Sequence, residues 1–321
     1  MNPHFRAPRM ALVLLGLGLA SPWSMACSSC GCSLSTDWAS QGYAAGDGLR
    51  FDLRTDFFNQ DQLRESTSRV NTGAIEFPAG REIQQKTVNR GTTLSMDYTP
   101  DELWGVNVSL PYFNRFHTTI VEGDTGISTS HSKGIGDLRV LGRYQGLAED
   151  RTVGVQFGVK FATGKFHDPF IGGPQEGEAL DRGLQPGTGT TDLLLGVYHF
   201  GSINKDWEYF GQALVQQAIN ARQDFKPGTG LNVNLGVRYA ASPAITPHIQ
   251  LNIRSEKRES GANADVENSG ATLVYLSPGI SVKVKDGVTL YGYAQVPVYQ
   301  RVNGFQVEPR YTVSVGLRFS L

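Results

Sequence analysis

Long apolar runs are scarce in this chain of 321 residues. The one clear run, "MALVLLGLGLA" from Met10 to Ala20, is too short for a transmembrane helix, which needs about 20 apolar residues. Beyond it no stretch approaches that length, and the 38 glycines and 15 prolines recur too often for long amphipathic helices. These absences exclude a helical membrane protein. If the chain lies in a membrane, it does so as strands.

An excess of charge of one sign is also missing. The chain has 29 Lys and Arg residues against 30 Asp and Glu residues, which gives a formal net charge of -1. A nucleic-acid-binding protein neutralises phosphates with basic residues gathered in a patch or tract, and no basic tract is present. We therefore exclude nucleic acid as a partner.

Cysteine occurs only three times, at Cys27, Cys30 and Cys32 in the stretch "CSSCGC". Three soft thiolates at this spacing can reach one Cu(I) or Zn ion, and a Cys-x-x-Cys pair also suits dithiol redox chemistry. Acylation of Cys27 is a second interpretation, although Ser24 stands at the position where lipoprotein signals usually have Leu. A structural disulfide, which would leave one thiol unpaired, or no role at all is the third.

Phosphate-binding and catalytic motifs are missing as well. "QPGTGTTD" and "KPGTGLN" repeat Pro-Gly-Thr-Gly without the Gly-Lys-Ser/Thr ending that lets a loop hold phosphates, so turn chemistry explains them better. The loop histidines His117, His131 and His167 do not follow a metal-ligand spacing, and no nucleophile motif accompanies His248. We expect no enzymatic reaction.

The start of the chain has the features of an export signal. Arg6 and Arg9 precede the apolar run, and Ser24 and Ala26 occupy the positions that a signal peptidase reads. Three parts are therefore predicted. They are a signal peptide at 1–26, a periplasmic Cys-containing segment at 27–47 and an outer-membrane β-barrel at 48–321.

Alternation of apolar and polar residues is the feature that the chain does have. The ending "VEPRYTVSVGLRFSL" places Val307 and Phe319 on one parity, and Glu308 and Arg318 on the other. About twelve such runs of about ten residues are joined by tight turns at one end and by mostly long, polar, glycine-rich loops at the other. This pattern predicts an all-β fold, a transmembrane antiparallel up-and-down β-barrel of about 12 strands. A soluble β-sandwich, whose strands also alternate, is the alternative.

Closure of the sheet is expected on physical grounds. Hydrocarbon offers no hydrogen-bond partners, so the last strand must pair with the first, "GLRFDLRTDF", and present its apolar parity to lipid. In the outer membrane of a Gram-negative cell, this topology places the short turns and the N-terminus in the periplasm and the long loops outside. Outer-membrane lipid is thus the first predicted partner.

Aromatic residues lie near the predicted strand ends, where an amphipathic ring suits the headgroup layer. This placement favours a membrane-spanning barrel over a soluble one. The residues are Tyr98, Trp104, Tyr112, Tyr144, Trp207, Tyr209, Tyr239, Tyr311 and Phe319.

The polar parity of the predicted strands carries charges of both signs. Facing ladders of opposite charge would select polar or anionic solutes. The same ladders would equally serve as a salt-bridged plug, because twelve strands enclose less space than the roughly 16–18 of an open porin. The predicted lumen residues are the cations Arg50, Arg54, Arg115, Arg139, Arg143, Lys160, Arg238, Arg254, Arg301, Arg310 and Arg318 and the anions Asp52, Asp56, Asp97, Asp137, Asp192 and Glu308.

Four segments carry a resemblance to a known family. They are "GIGDLRVLGRY", "GVQFGVKFATGKF", "LQPGTGTTDLLLGVYHF" and "VNVSLPYF". Together they resemble the outer-membrane transporter family associated with the phenol meta-cleavage pathway, over most of residues 48–321. The resemblance implies an outer-membrane location and transport of small, often aromatic, organic compounds.

Two hypotheses for function come from different classes. The first is a channel or transporter for small hydrophilic or amphipathic solutes, aromatic ones included, with the charged lumen as its filter and no required cofactor. The second is a non-enzymatic barrel anchor that presents Cys27, Cys30 and Cys32 to Cu or Zn, or to a periplasmic redox or metal-handling protein.

Overall fold

In the computed structural model, residues 41–42, 47–242 and 244–321 are described, and most of them lie in β-strands. No helix in these ranges is long and apolar enough to cross a membrane. The predicted signal peptide and Cys27, Cys30 and Cys32 lie outside them. The strands are β1 (Gly48–Glu65), β2 (Ser68–Arg69), β3 (Ile83–Thr99), β4 (Trp104–Ile120), β5 (Ile127–Ile135), β6 (Arg139–Tyr144), β7 (Val153–Lys160), β8 (Phe170–Gly172), β9 (Asp192–Ser202), β10 (Trp207–Ala218), β11 (Gly230–Tyr239), β12 (Ile245–Glu256), β13 (Ala271–Lys285), β14 (Val288–Val302) and β15 (Phe305–Ser320).

Twelve of these strands form the wall of a closed antiparallel barrel. Each wall strand pairs with its neighbours in chain order, and β15 pairs with β1 over a register that runs from Arg50 opposite Ser320 to Glu65 opposite Phe305. The predicted barrel, its strand number and its closure by the last strand are confirmed. The remaining strands, β2, β5 and β8, extend the loop end of the wall.

The wall is interrupted at β5 and β6, which share one position because both pair with β4. The chain leaves the ladder at residues 136–138 between them. The next wall strand, β7, has only 8 residues and ends at Lys160. Residues 161–191 then run to the start of β9, and much of this connection is buried.

The outer face of the wall is apolar, as the alternation predicts. In β9 the run Leu193, Leu194, Leu195 blurs the sequence pattern, and the structure resolves it. Leu193 and Leu195 are exposed on the outer face, whereas Leu194 is 1% exposed and faces inward with Asp192. Because side chains alternate strictly along a strand, one apolar parity around the barrel gives a continuous surface for lipid.

Aromatic rings gather at the short-turn end of the barrel. Trp104 packs against Tyr144 with ring centroids 4.8 Å apart, and Trp207 packs against Tyr239 at 5.2 Å. Tyr98, at the end of β3, is exposed beside the same turn region. These rings are placed as in the aromatic girdle of a membrane barrel.

A bulge in β14 reverses the parity of the last residues of this strand. One predicted lumen residue, Arg301, is placed wrongly for this reason. The register against β13 shifts between Tyr299 and Pro297, so that Val298 and Tyr299 are both exposed on the outer face. Above the bulge Gln300 is buried inside, and Arg301 is exposed outside, contrary to prediction. Pro297 cannot donate to the ladder, and such residues are confined to bulges and edges.

A second irregularity corrects Arg310. In β15 the register against β1 shifts around Pro309, while Glu308 and Thr312 on either side remain buried. Arg310 was predicted to face the lumen, but its side chain is 65% exposed and pairs with Asp61 on the outer face at 3.1 Å. A strict period of two fails here, because an extra residue at a bulge turns the local side chains around.

The seam between β1 and β15 is held from inside by a side chain of β14. The Tyr291 hydroxyl donates to Asp52 Oδ1 of β1 at 2.8 Å. To reach it, the ring passes over Gly316 of β15, where an added Cβ would lie 2.2 Å from the ring. Gly316 is therefore required by this close approach.

We predict that Gly316→Val destabilises the barrel by about 1–3 kcal/mol, since the added side chain overpacks the seam beneath Tyr291. The temperature at which the folded form converts to the unfolded band in SDS gels should fall by several degrees. Gly292→Val on β14 is the matched control, because the nearest atom to its added Cβ is the Ser314 carbonyl oxygen at 3.6 Å. Equal conversion temperatures for the two variants would contradict this account of the seam.

Candidate functional site

The candidate site is a cavity of about 350 Å³ inside the barrel. Its walls come from the inner faces of most wall strands, and residues of the 161–191 connection and the 225–230 region also line it. A volume in this range suits a small organic molecule. Charged, amide and apolar side chains all face it.

Most predicted lumen residues lie on the inner face. Arg139 and Arg254 are partly buried, and the other inward-facing members are largely enclosed. Of the seventeen predicted lumen residues, only Arg301 and Arg310 project outward, as described above. The inward-facing members are Arg50, Asp52, Arg54, Asp56, Asp97, Arg115, Asp137, Arg139, Arg143, Lys160, Asp192, Arg238, Arg254, Glu308 and Arg318. Their role in selectivity stays a prediction.

Near the short-turn end, one carboxylate is shared by two arginines. Arg143 donates from both terminal nitrogens to Asp97, at 2.5 and 2.8 Å, and Arg50 lies 3.5 Å from the same carboxylate. Thr99 accepts further hydrogen bonds from both guanidinium groups. The Arg143 guanidinium packs against Gly105, which has no side chain to obstruct it. An added Cβ at Gly105 would lie 2.4 Å from the guanidinium. This cluster of paired charges occupies the interior of the barrel near the short turns.

At the same end Arg238 holds Gln41 and Gly42, which precede β1 in the chain. Its guanidinium donates to the carbonyl oxygens of Gln41 and Gly42 at 2.9 and 2.8 Å, and it pairs with Glu208. Gln41 is 2% exposed. Gln41 and Gly42 are therefore anchored to the inner face rather than extended into solvent.

A belt of uncharged side chains crosses the middle of the interior. The amide of Gln212 donates to Gln156 at 2.8 Å, Asn234 donates to Gln212 at 3.3 Å, and Asn252 donates to Asn234 at 2.6 Å. The Ser277 hydroxyl then donates to Asn252 at 2.5 Å. Because an amide both donates and accepts, such a chain satisfies buried polar groups without net charge.

The Asp137 carboxylate anchors the 161–191 connection to the wall. It accepts hydrogen bonds from Lys160 Nζ at 2.7 Å, from the Gly164 backbone N–H at 3.0 Å, and from both the backbone N–H and the hydroxyl of Thr188 at 3.0 Å. Lys160 also lies 3.4 Å from Asp192. One buried carboxylate thus gathers donors from the end of β7 and from two parts of the 161–191 connection.

Close backbone packing completes this junction. An added Cβ at Gly187 would lie 2.5 Å from the Gly164 carbonyl oxygen, and one at Gly164 would lie 2.8 Å from Gly136. The "GIGD", "FATGK" and "PGTGTTD" stretches therefore meet at one point, which sequence reasoning missed because it treated each as a local strand or turn pattern. Their shared content of Gly, Thr and Asp was the available signal.

The connection continues over the interior of the barrel. Arg115 donates to the Gly183 carbonyl oxygen at 2.7 Å, and Ser132 donates to the Leu184 carbonyl oxygen at 2.6 Å. Arg182 bonds to Gln223 of the β10–β11 loop at 3.0 Å. Contacts from β4, β5 and the β10–β11 loop thus hold residues 182–184 across the loop end of the cavity.

Buried carboxyl groups meet among the long loops. Burial, together with the nearby charges of Glu259 and Asp265, raises the pKa of Asp181 well above its usual value. Burial raises the pKa of Asp265 to about 6. Groups with raised pKa values stabilise the packed loops in their protonated state, and this contribution is lost as the pH rises through the raised pKa. Arg182 is the facing cation, and its charge interacts with Asp181 and Glu259.

Residues 41–42, 47–242 and 244–321 contain no candidate metal site. No group of three or more His, Cys, Asp or Glu side chains in these ranges could hold an ion. The cysteines that were predicted to bind Cu or Zn lie outside these ranges. Metal binding or redox chemistry at Cys27, Cys30 and Cys32 stays a prediction.

We predict that Asp137→Asn releases the 161–191 connection, because the new amide N–H₂ would face the donors Lys160 and Thr188. Trypsin should then cleave after Arg182, which is buried in the wild type, at least about ten-fold faster. Mass spectrometry of timed digests of the folded protein measures this. Asp286→Asn, in the exposed β13–β14 turn, is the control. Unchanged cleavage at Arg182 in Asp137→Asn would remove the anchor role.

Comparison with known proteins places the fold. No protein-family profile and no curated protein matches the chain. The fold is similar to that of an outer membrane channel from Pseudomonas putida F1, with a TM-score of 0.62 and 13% sequence identity over 90% of this chain and 99% of that chain. The toluene transporter TodX of Pseudomonas putida aligns with a TM-score of 0.48 and 9% identity over 92% of this chain and 96% of that chain. At such identities the likeness to the first structure shows the fold alone, a closed membrane-type barrel.

Proposed function

We propose that this protein is an outer-membrane channel for small amphipathic solutes. The observation that carries the proposal is the cavity of about 350 Å³ inside a barrel whose outer face is apolar. A lipid-facing surface around a solute-sized chamber with polar and apolar walls has no use in a soluble protein, whereas a membrane channel needs both.

The composition of the chamber favours solutes with a polar and an apolar part. Arg54, Lys160 and Arg254 line it together with the rings of Phe113 and Phe225. Binding pockets for organic molecules combine apolar walls with a few placed polar groups in this way. The fold shared with the Pseudomonas putida F1 channel supports the same proposal. The link to phenol meta-cleavage stays a prediction.

Ion pairs and inward-folded segments narrow the path at both ends of the chamber. Arg143 and Asp97 fill the short-turn end, and residues 182–184 cross the loop end. The proposed channel is therefore gated rather than wide open, and solute passage requires these elements to move. The ion pairs near the short turns then act as a plug, and the charged side chains that line the cavity act as a filter.

We expect purified full-length protein to produce discrete conductance steps in planar lipid bilayers. Asp137→Asn should give larger or less regular steps, because the connection it anchors partly covers the cavity, and Asp286→Asn should behave as the wild type. Bilayer recordings of the three proteins at equal amounts measure this. Wild-type protein that inserts but leaves the conductance at the lipid background would refute the channel.

Orientation forms part of the proposal. We infer that the short turns and Gln41 face the periplasm and the long loops face the outside, since outer-membrane barrels carry short turns on the periplasmic side. An epitope inserted at Ala262, in the β12–β13 loop, should bind antibody on intact cells. The same epitope at Asp286 should bind only after the outer membrane is opened. Reversed labelling would overturn the orientation.

A further inference from the structure

Arg139 in the cavity wall has no carboxylate within ion-pair distance among the described residues. Arg54 pairs with Asp56 at 3.1 Å, and Arg254 pairs with Glu256 at 2.8 Å. Within the part of the chain that the structure describes, Arg139 forms no such pair, and its hydrogen-bond partner is the Gln216 side-chain oxygen at 3.5 Å. A guanidinium has five N–H donors, so most of the donors of Arg139 are available to the cavity.

The surroundings of Arg139 add positive charge. The charges of both Arg254 and Arg54 act on its guanidinium, and Asp192 is the anion that opposes them. Asp192, however, already lies 3.4 Å from Lys160 and accepts hydrogen bonds from Thr190 and Gln216, at 2.9 and 2.5 Å. Its charge is thus shared, and this level of the interior retains a local surplus of positive charge.

A partly buried cation without a counter-ion is costly, and an anion that enters the cavity relieves that cost. The planar fork of a guanidinium matches a carboxylate, which accepts two parallel hydrogen bonds. The position of Arg139 in the cavity wall therefore favours a ligand with a carboxylate group over a neutral or cationic one.

The rest of the lining favours a compact apolar body on the same ligand. Apolar and aromatic side chains line the cavity together with the arginines. They are Phe58, Phe113, Leu141, Leu194, Leu214 and Phe225. Inorganic anions would leave these side chains without a partner, and a neutral hydrocarbon would leave Arg139 without one.

We propose that the cavity binds a small organic monocarboxylate, with its carboxylate on Arg139 and its aromatic or short alkyl body on the apolar lining. This inference rests on the proposed function, because it names the class of solute that the channel takes. It assigns Arg139 a binding role, with Arg54 and Arg254 supplying the surrounding positive potential.

Binding to the purified, full-length protein tests the inference directly. Benzoate, benzyl alcohol and benzylammonium share one ring and differ in charge, so saturation-transfer NMR titrations with each compare carboxylate, neutral and cationic ligands. We expect benzoate to bind at least about ten-fold more tightly than the other two. Equal affinities for benzoate and benzyl alcohol would overturn the inference.

Variants locate the carboxylate. Arg139→Gln should weaken benzoate binding about ten-fold or more and leave benzyl alcohol unaffected, because the ionic hydrogen bonds are lost. Arg139→Lys keeps the charge without the fork and should give an intermediate affinity, and it decides the matter if the Gln variant fails to fold. Arg151→Gln, in an exposed short turn, is the matched control. Wild-type benzoate affinity in a folded Arg139 variant would overturn the inference.

Bilayer recordings separate this inference from the proposed function. Benzoate should reduce the ion current of the wild type at concentrations that leave Arg139→Gln unaffected. A protein that conducts ions but neither binds nor is blocked by benzoate remains a channel, and the inference fails. A protein that binds benzoate through Arg139 without conducting supports the inference, and the channel proposal fails.

Discussion

Closure of the backbone hydrogen-bond ladder is the constraint on which the rest of this structure depends. Every N–H and C=O of the wall must be paired, because lipid satisfies none of them and each unpaired group costs several kcal/mol. The pairing of β15 with β1 meets that demand. It also divides the side chains into an outer apolar set and an inner polar set, so the membrane surface and the enclosed chamber both follow from the closed wall.

The closed wall then creates a second problem, since polar and charged side chains are confined in a narrow interior. Buried charges are tolerated when they are paired and hydrogen-bonded. Asp97 with Arg143, and Lys160 between Asp137 and Asp192, meet this condition, and the amide belt meets it without charge. Arg139, on which the proposed carboxylate site rests, forms no such ion pair within the described residues. The charged side chains near the short turns are therefore paired with each other, whereas the guanidinium of Arg139 is available to a ligand in the cavity.

Particular residues show how far the pattern of the chain leads. Leu53 outside and Arg54 inside follow the alternation, because each side chain's face depends only on its immediate neighbours. Arg301 and Arg310 were placed wrongly, because a single extra residue in a strand reverses everything beyond it or turns a side chain around. Pro297 and Pro309 marked both places in the sequence, since proline cannot take part in a regular ladder.

The sequence by itself determined the strands, their closure into a barrel of about 12 strands and the polar character of the inner face, because these depend on a local period of two and on the properties of hydrocarbon. Only the tertiary structure decided which inner side chains meet. Asp137 accepts a hydrogen bond from Thr188, which lies 51 positions away along the chain. Arg139 lines a cavity to which the 161–191 connection also contributes. No local pattern encodes such distances, because they arise when a long connection leaves the wall and packs inside it.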